Sequence, residues 1–239
     1  MTPNQLLEPI RAGACGLALL AMITGAAGAT PPPPTLRELG GAVHPRLDPA
    51  KAALIIIDAQ MEYAHGPLAV EKLEPAVDEI VRLRAWAQAV GAPVIHIQQV
   101  GRPGGPIFAA DGPGVRFLPD LAPAAGEIVV KKTRPNSFAR TELDAVLQRL
   151  GRRQVILTGF MTHMCVDSTA RAAFDLDYDA FVVASATADR PLPRPEGGLL
   201  SAADVRRATL TALGDRFVTV LPDAAAVVTP APVMMSPTR

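Results

Sequence analysis

Side chains suited to acid–base or nucleophilic chemistry follow three short apolar runs. Asp58 closes the run 52–58 (AALIIID), Lys131 and Lys132 close 127–132 (EIVVKK), and Cys165 follows 154–158 (QVILT) after a six-residue turn. A thiol at the start of a helix, near a cationic lysine, has its thiolate stabilised by the helix dipole and by the charge. A neighbouring carboxylate accepts the thiol proton and later delivers it to a leaving group. Singly, each residue is ordinary. A free cysteine is usually a small buried hydrophobe, an aspartate at a strand end a turn residue, and a strand-end lysine solvated. Their joint position on one sheet edge is what points to catalysis.

The elements around them alternate between strand and helix. Strands are predicted at 52–58, 94–98, 127–131, 154–158, 180–184 and 216–220. Helical spacing marks 73–90, stopped by Gly91 and Pro93, then 141–150, stopped by Gly151, and 165–175 and 201–213. Ser201 and Asp204 resemble a capping box at the last of these. Continuous apolar strands separated by helices predict an α/β fold: a six-stranded parallel sheet with helices on both faces, a Rossmann-like three-layer α/β/α arrangement. Ligands of such sheets bind beyond the carboxyl ends of the strands, where the three reactive residues fall. The Gly- and Pro-rich stretch 101–123 is longer than ordinary connections, which favours a functional loop.

Composition narrows the partners. The 239-residue chain carries 23 basic and 23 acidic side chains, so it lacks the cationic excess that phosphate backbones require. At 49% hydrophobic and 19% charged it is too apolar for a disordered protein. Two cysteines, Cys15 and Cys165, cannot build a disulfide scaffold or a four-cysteine zinc site, and no C-x-x-C redox pair is present. The uncharged run 12–23 (AGACGLALLAMI), followed by Ala27-Gly28-Ala29, reads as a signal peptide over 1–29, too short to span a membrane. Export would remove Cys15 and place the mature chain in the periplasm or outside the cell. A Pro-rich spacer and extension would occupy 30–50, the catalytic domain 51–228 and a tail 229–239.

The string 157–166 (LTGFMTHMCV), with Ser168, Thr169 and Arg171, resembles the nucleophile region of the isochorismatase-like cysteine hydrolases. So do 55–60 (IIIDAQ), 130–138 (VKKTRPNSF) with Thr141 and Leu143, and 201–205 leading to Phe217. The resemblance covers about 51–228. It implies a catalytic triad of Asp58, Lys132 and Cys165, with Lys132 preferred to Lys131 by its spacing to 136–138. It also implies a cis peptide at Phe160–Met161 and an oxyanion hole from the amides of Met161 and Cys165. Candidate pocket residues are Gln60, Gln99, Phe138 and Thr162, with Arg102 on the long loop more simply read as solvated.

The implied reaction is hydrolysis of an amide, ureido or carbamoyl C–N bond of a small molecule through a thioester. The metal-binding Asp-x-His of nicotinamidase-like members is missing from 98–102 (QQVGR), so no metal or other cofactor is expected, and His96 and His163 read as structural. The alternatives are an isochorismatase-type vinyl-ether hydrolase, which needs an acid more than a nucleophile, and a non-catalytic binding protein on the same fold. The expected partners are a small-molecule substrate and further copies of the chain in a homo-oligomer, with neither nucleic acid nor membrane.

Overall fold

A computed structural model describes residues 31–228, so the leader and the tail read from the sequence lie outside the described residues. Pro31–Pro34 are exposed, and Thr35 then opens a short helix, α1 (Leu36–Leu39), with a full capping box to Glu38. Within the expected extension, this helix docks on the domain. Its Leu36 N–H donates to Asp215, and the Arg37 guanidinium donates to the carbonyl of Arg216.

The sheet is built from β1 (Ala52–Ile57), β2 (Val94–Gln99), β3 (Ile128–Lys132), β4 (Gln154–Phe160) and β5 (Asp179–Ala188). A small antiparallel hairpin, β6 (Leu192–Pro193) and β7 (Leu199–Leu200), follows β5, and β8 (Thr219–Leu221) completes the sheet. The six-stranded order is β3-β2-β1-β4-β5-β8, and every pairing is parallel. Helices α2 (Leu73–Val90), α3 (Leu143–Arg149), α4 (Asp167–Asp175), α5 (Ala202–Arg216) and α6 (Ala225–Val228) make the connections or close the chain.

The alternation of the strand side chains divides the core in two. Leu54 and Ile56 of β1 pack with Ile80, Leu83 and Trp86 of α2 and Val227 of α6. Ala53, Ile55 and Ile57 pack on the other face with Leu143 and Leu147 of α3, Ala170 and Ala173 of α4, and Leu213 of α5. Burial on both faces explains why β1 reads as an unbroken apolar run. The chain winds outward through β1, β2 and β3, then returns to place β4 against the other side of β1. That reversal opens a crevice at the carboxyl ends of β1 and β4. Asp58 and Cys165 follow those two strands.

Gly159 makes this crevice possible. Its φ is +103°, and a Cβ there would lie 2.0 Å from the Ile57 carbonyl oxygen, one residue before Asp58. The pairing of β4 with β5 shifts register at the same point. Gly159→Ala is therefore expected to cost about 3 kcal/mol or more in denaturant unfolding, since backbone on both sides must move. An unchanged unfolding midpoint would show that the strands part freely here.

Candidate active site

Asp58 adopts a left-handed conformation (φ 49°), and its N–H donates to the Ile97 carbonyl. This turns the chain sharply at the strand end and leaves the side chain fully buried over the crevice. Lys132 ends β3, two strands from β1, or roughly 10 Å at ordinary strand spacing. Its long side chain lies back across the end of β2. There Nζ donates to Gln99 Oε1 at 2.8 Å, stands 2.6 Å from Asp58 Oδ2 and reaches Cys165 Sγ at 3.3 Å. Of the two lysines left open by strand geometry, Lys132 is 2% exposed and turned inward, whereas Lys131 faces solvent.

Cys165 does not open an α-helix. It sits inside a π-helical turn, Thr162–Val166, that follows a cis peptide at Phe160–Met161 and runs into α4. The Val166 N–H returns to the Met161 carbonyl, closing the turn under the sulfur. The amides of Met161 and Cys165 thus belong to one compact loop.

The electrostatics reverse one expectation. Burial, then the Asp58 charge, push the Cys165 thiol up to about 12, against the opposing pull of Lys132. The lysine does not offset the loss of solvent, so the surroundings of the sulfur favour the protonated thiol. Burial also raises Asp58, with Lys132 as the main opposing influence. The Asp58 carboxylate faces the Lys132 ammonium, the Cys165 thiol and the backbone of Gln99. Lys132 Nζ lies 2.6 Å from Oδ2, and hydrogen bonding from Lys132, the Cys165 thiol and the Gln99 N–H also favours the ionised carboxylate.

The candidate pocket residues divide by what already occupies them. Gln99 touches the triad through Lys132. The Gln60 amide is already engaged: its nitrogen donates to the carbonyls of Gln99 and Val115, and its oxygen accepts from the Gln99 N–H. It stitches the long loop to the sheet. Met61 N–H to Arg116, Glu62 N–H to Gly114 and the Glu62 carboxylate on Phe108 N–H add further stitches. Phe138 stacks on Tyr178 at 5.7 Å and packs into the core beside α3 and α4. Thr162 is buried with its hydroxyl on the Ala188 carbonyl. Arg102 is exposed on the loop.

Both histidines are held by carboxylates. His96 Nε2 is 2.9 Å from Glu127, which also takes a two-point contact from Arg84. Burial works to raise Glu127, but Arg84, the Ala124 N–H and His96 together hold it at about 2. His163 Nδ1 is 2.6 Å from Asp189. No three His, Cys, Asp or Glu side chains converge as a metal-ligand set among the described residues.

Two residues around the nucleophile turn escaped sequence reasoning. Tyr63 is buried, with its ring edge-on to Phe108 and Phe160 at 5.4 and 5.9 Å. Its phenol is raised by burial and then by the charges of Cys165 and Asp58. Asp189 follows β5 on the same sheet edge. Its signal was position alone, and it was hidden because the strand was read four residues short.

Comparison with known proteins identifies the family and fold. Residues 52–222 match the isochorismatase domain model. A secreted isochorismatase effector of Verticillium dahliae is 34% identical over 170 residues, covering 71% of this chain and 87% of the relative. A ureidoacrylate amidohydrolase of Pseudomonas syringae pv. syringae is 31% identical over 187 residues, covering 63% of this chain and 76% of the relative. The crystal structure of an isochorismatase from Pseudomonas putida superposes with a TM-score of 0.77 at 39% identity, over 81% of this chain and 98% of that one. The chain belongs to the isochorismatase family.

Proposed function

We propose that the protein is a cysteine-dependent hydrolase that cleaves the C–N bond of a small amide, ureide or carbamoyl compound. The observation that carries this reading is the convergence of a buried thiol, carboxylate and ammonium at the reversal point of the sheet. As a substrate carbonyl arrives, Asp58 takes the Cys165 proton and Sγ attacks the carbon. Lys132 keeps Asp58 ionised and oriented, and the Met161 and Cys165 amides receive the oxyanion. Collapse expels the amine with the proton now on Asp58. Water then attacks the thioester, giving its proton to the same carboxylate, and the acid leaves as the thiol re-forms. The similarity to a ureidoacrylate amidohydrolase supports a C–N bond as the target.

The test is a screen of amides, ureas and carbamoyl amino acids for ammonia release, run with and without EDTA. Turnover of at least one compound, undiminished by the chelator, is expected, because His96 and His163 are both engaged by carboxylates. Release of pyruvate from a vinyl ether with no ammonia from any amide would replace this reading with the isochorismatase-type one. Export is also proposed. It is supported by the apolar run 12–23 and by the similarity to a secreted effector. Protein purified from its source should begin at or near Thr30. An N-terminal mass starting at Met1 in the cytosolic fraction would contradict this.

A further inference from the structure

Asp189 is a buried carboxylate that the proposed chemistry does not use. One oxygen meets His163 Nδ1 at 2.6 Å and accepts from the His163 backbone N–H at 3.4 Å, and the other has no partner among the described residues. Lys72 and Arg206 line the same shallow hollow, with a cavity volume of about 30 Å³, yet neither pairs with Asp189, and Arg206 donates instead to the Ala184 carbonyl. Burying a half-satisfied carboxylate costs stability, so its presence calls for a role other than stabilising the fold.

Its location suggests that role. His163 lies in the nucleophile turn, two residues before Cys165. Side chains two apart on a helical turn leave it on roughly opposite sides. Cys165 faces Asp58 and Lys132, while His163 faces the end of β5. Thr162, next in the turn, is fixed to β5 as well through the Ala188 carbonyl. Asp189 is itself held, since its carbonyl accepts from the Glu71 N–H at 2.8 Å. We infer that Asp189, acting through His163, is a positioning residue that holds the nucleophile turn from behind and keeps Cys165 Sγ within reach of Asp58 and Lys132. The inference rests on the reading of Cys165 as the nucleophile. With a proton on Nδ1, His163 donates to Asp189. Without that contact the turn loses its side-chain tie to the end of β5.

The test uses the full chain with Asp189→Ala, Asp189→Asn and His163→Ala, each checked by thermal melting. Alkylation of Cys165 by iodoacetamide is followed against pH by intact mass, and ammonia release is measured on the best amide of the screen. The groups facing the sulfur are Asp58 from β1, Lys132 from β3 and Tyr63 from the turn after Asp58. Releasing the turn moves the sulfur away from Asp58 and towards solvent. In Asp189→Ala, labelling at pH 8 is therefore expected to rise about tenfold, as its pH midpoint moves down by about one unit. Hydrolysis should fall roughly tenfold or more in kcat, with KM within about threefold, because a small misplacement of reacting atoms is costly.

Labelling faster while turnover slows is a pattern that general loosening of substrate binding does not produce. Asp189→Asn keeps an acceptor for the His163 N–H and should restore both readouts. His163→Ala, which keeps the backbone N–H on Asp189, should shift both readouts in the same direction as Asp189→Ala, and the double variant should be no worse than Asp189→Ala. An alkylation profile unchanged in His163→Ala and Asp189→Ala, with turnover intact, would overturn the positioning role and leave the hydrolase reading standing. A shifted alkylation profile without C–N hydrolysis of any compound would do the reverse.

Discussion

Cys165→Ala is expected to reduce hydrolysis by roughly four orders of magnitude or more while melting close to the parent protein. The large effect follows from chemistry: no other nucleophile adjoins the Asp58–Lys132 pair among the described residues, and groups that act as one unit fail together. The small structural effect follows from size. The sulfur is one atom in a turn whose hydrogen bonds run through the backbone and through Thr162 and His163, all retained. Asp58→Asn should be nearly as inactive, because an amide cannot accept and return the proton. In the parent, the alkaline limb of the rate should lie well above the range of an ordinary thiol, since burial and Asp58 hold the thiol near 12. Turnover retained in Cys165→Ala, measured on the compound found by ammonia release, would end the thioester mechanism.

Strand and helix types were legible because burial on both faces writes itself as an apolar run, and burial on one face as a helical spacing. Helix 73–90 was read to the residue: its apolar stripe is regular and Gly91, at φ 68°, stops it in a left-handed conformation. Strand ends were read less well wherever polar residues continue a ladder. Ser185 and Thr187 broke the apolar run of β5, so it was closed at 184 instead of 188. Helix α5 runs on through Arg216, which displaces β8 from 216–220 to Thr219–Leu221.

The same limit shaped the site. Asp58, Lys132 and Cys165 could be named because each lies at or soon after the end of an apolar run, topology brings the ends of such runs together, and the resemblance chose Lys132 over Lys131. Asp189 bears the same relation to β5 and would have been named had the strand been followed to its end. The π-helical turn at 162–166 leaves no trace in composition, since it is set by how β4 leaves the sheet. Gln60, Phe138 and Thr162 illustrate a different boundary. A residue's proximity to a site can follow from sequence, but whether its polar atoms are already taken depends on backbone that arrives from distant loops.

Lys132→Met should separate the electrostatic role of the lysine from its packing. The side chain is buried, and methionine fills nearly the same length without charge. Breaking a buried ion pair by removing one partner costs about 3–5 kcal/mol. For a domain of this size that lowers the melting temperature by roughly 6–20 °C at neutral pH. The pH dependence identifies the cause. Asp58 is already raised above its unfolded value, and Lys132 is the main influence restraining it, so the variant raises it further. A carboxyl with a raised folded pKa contributes stability that is complete below the unfolded value, near 3.9, and is lost as pH climbs through the folded one. The deficit of Lys132→Met should therefore be small near pH 4 and grow towards neutrality, by at most about 1.4 kcal/mol per pH unit. Adding Asp58→Asn removes the stranded charge and should recover most of the lost stability, although the double variant stays inactive. A deficit equal at pH 4 and pH 7, or unrelieved by Asp58→Asn, would mean that Lys132 supports the fold by its methylene packing and that the ion pair at the crevice is incidental.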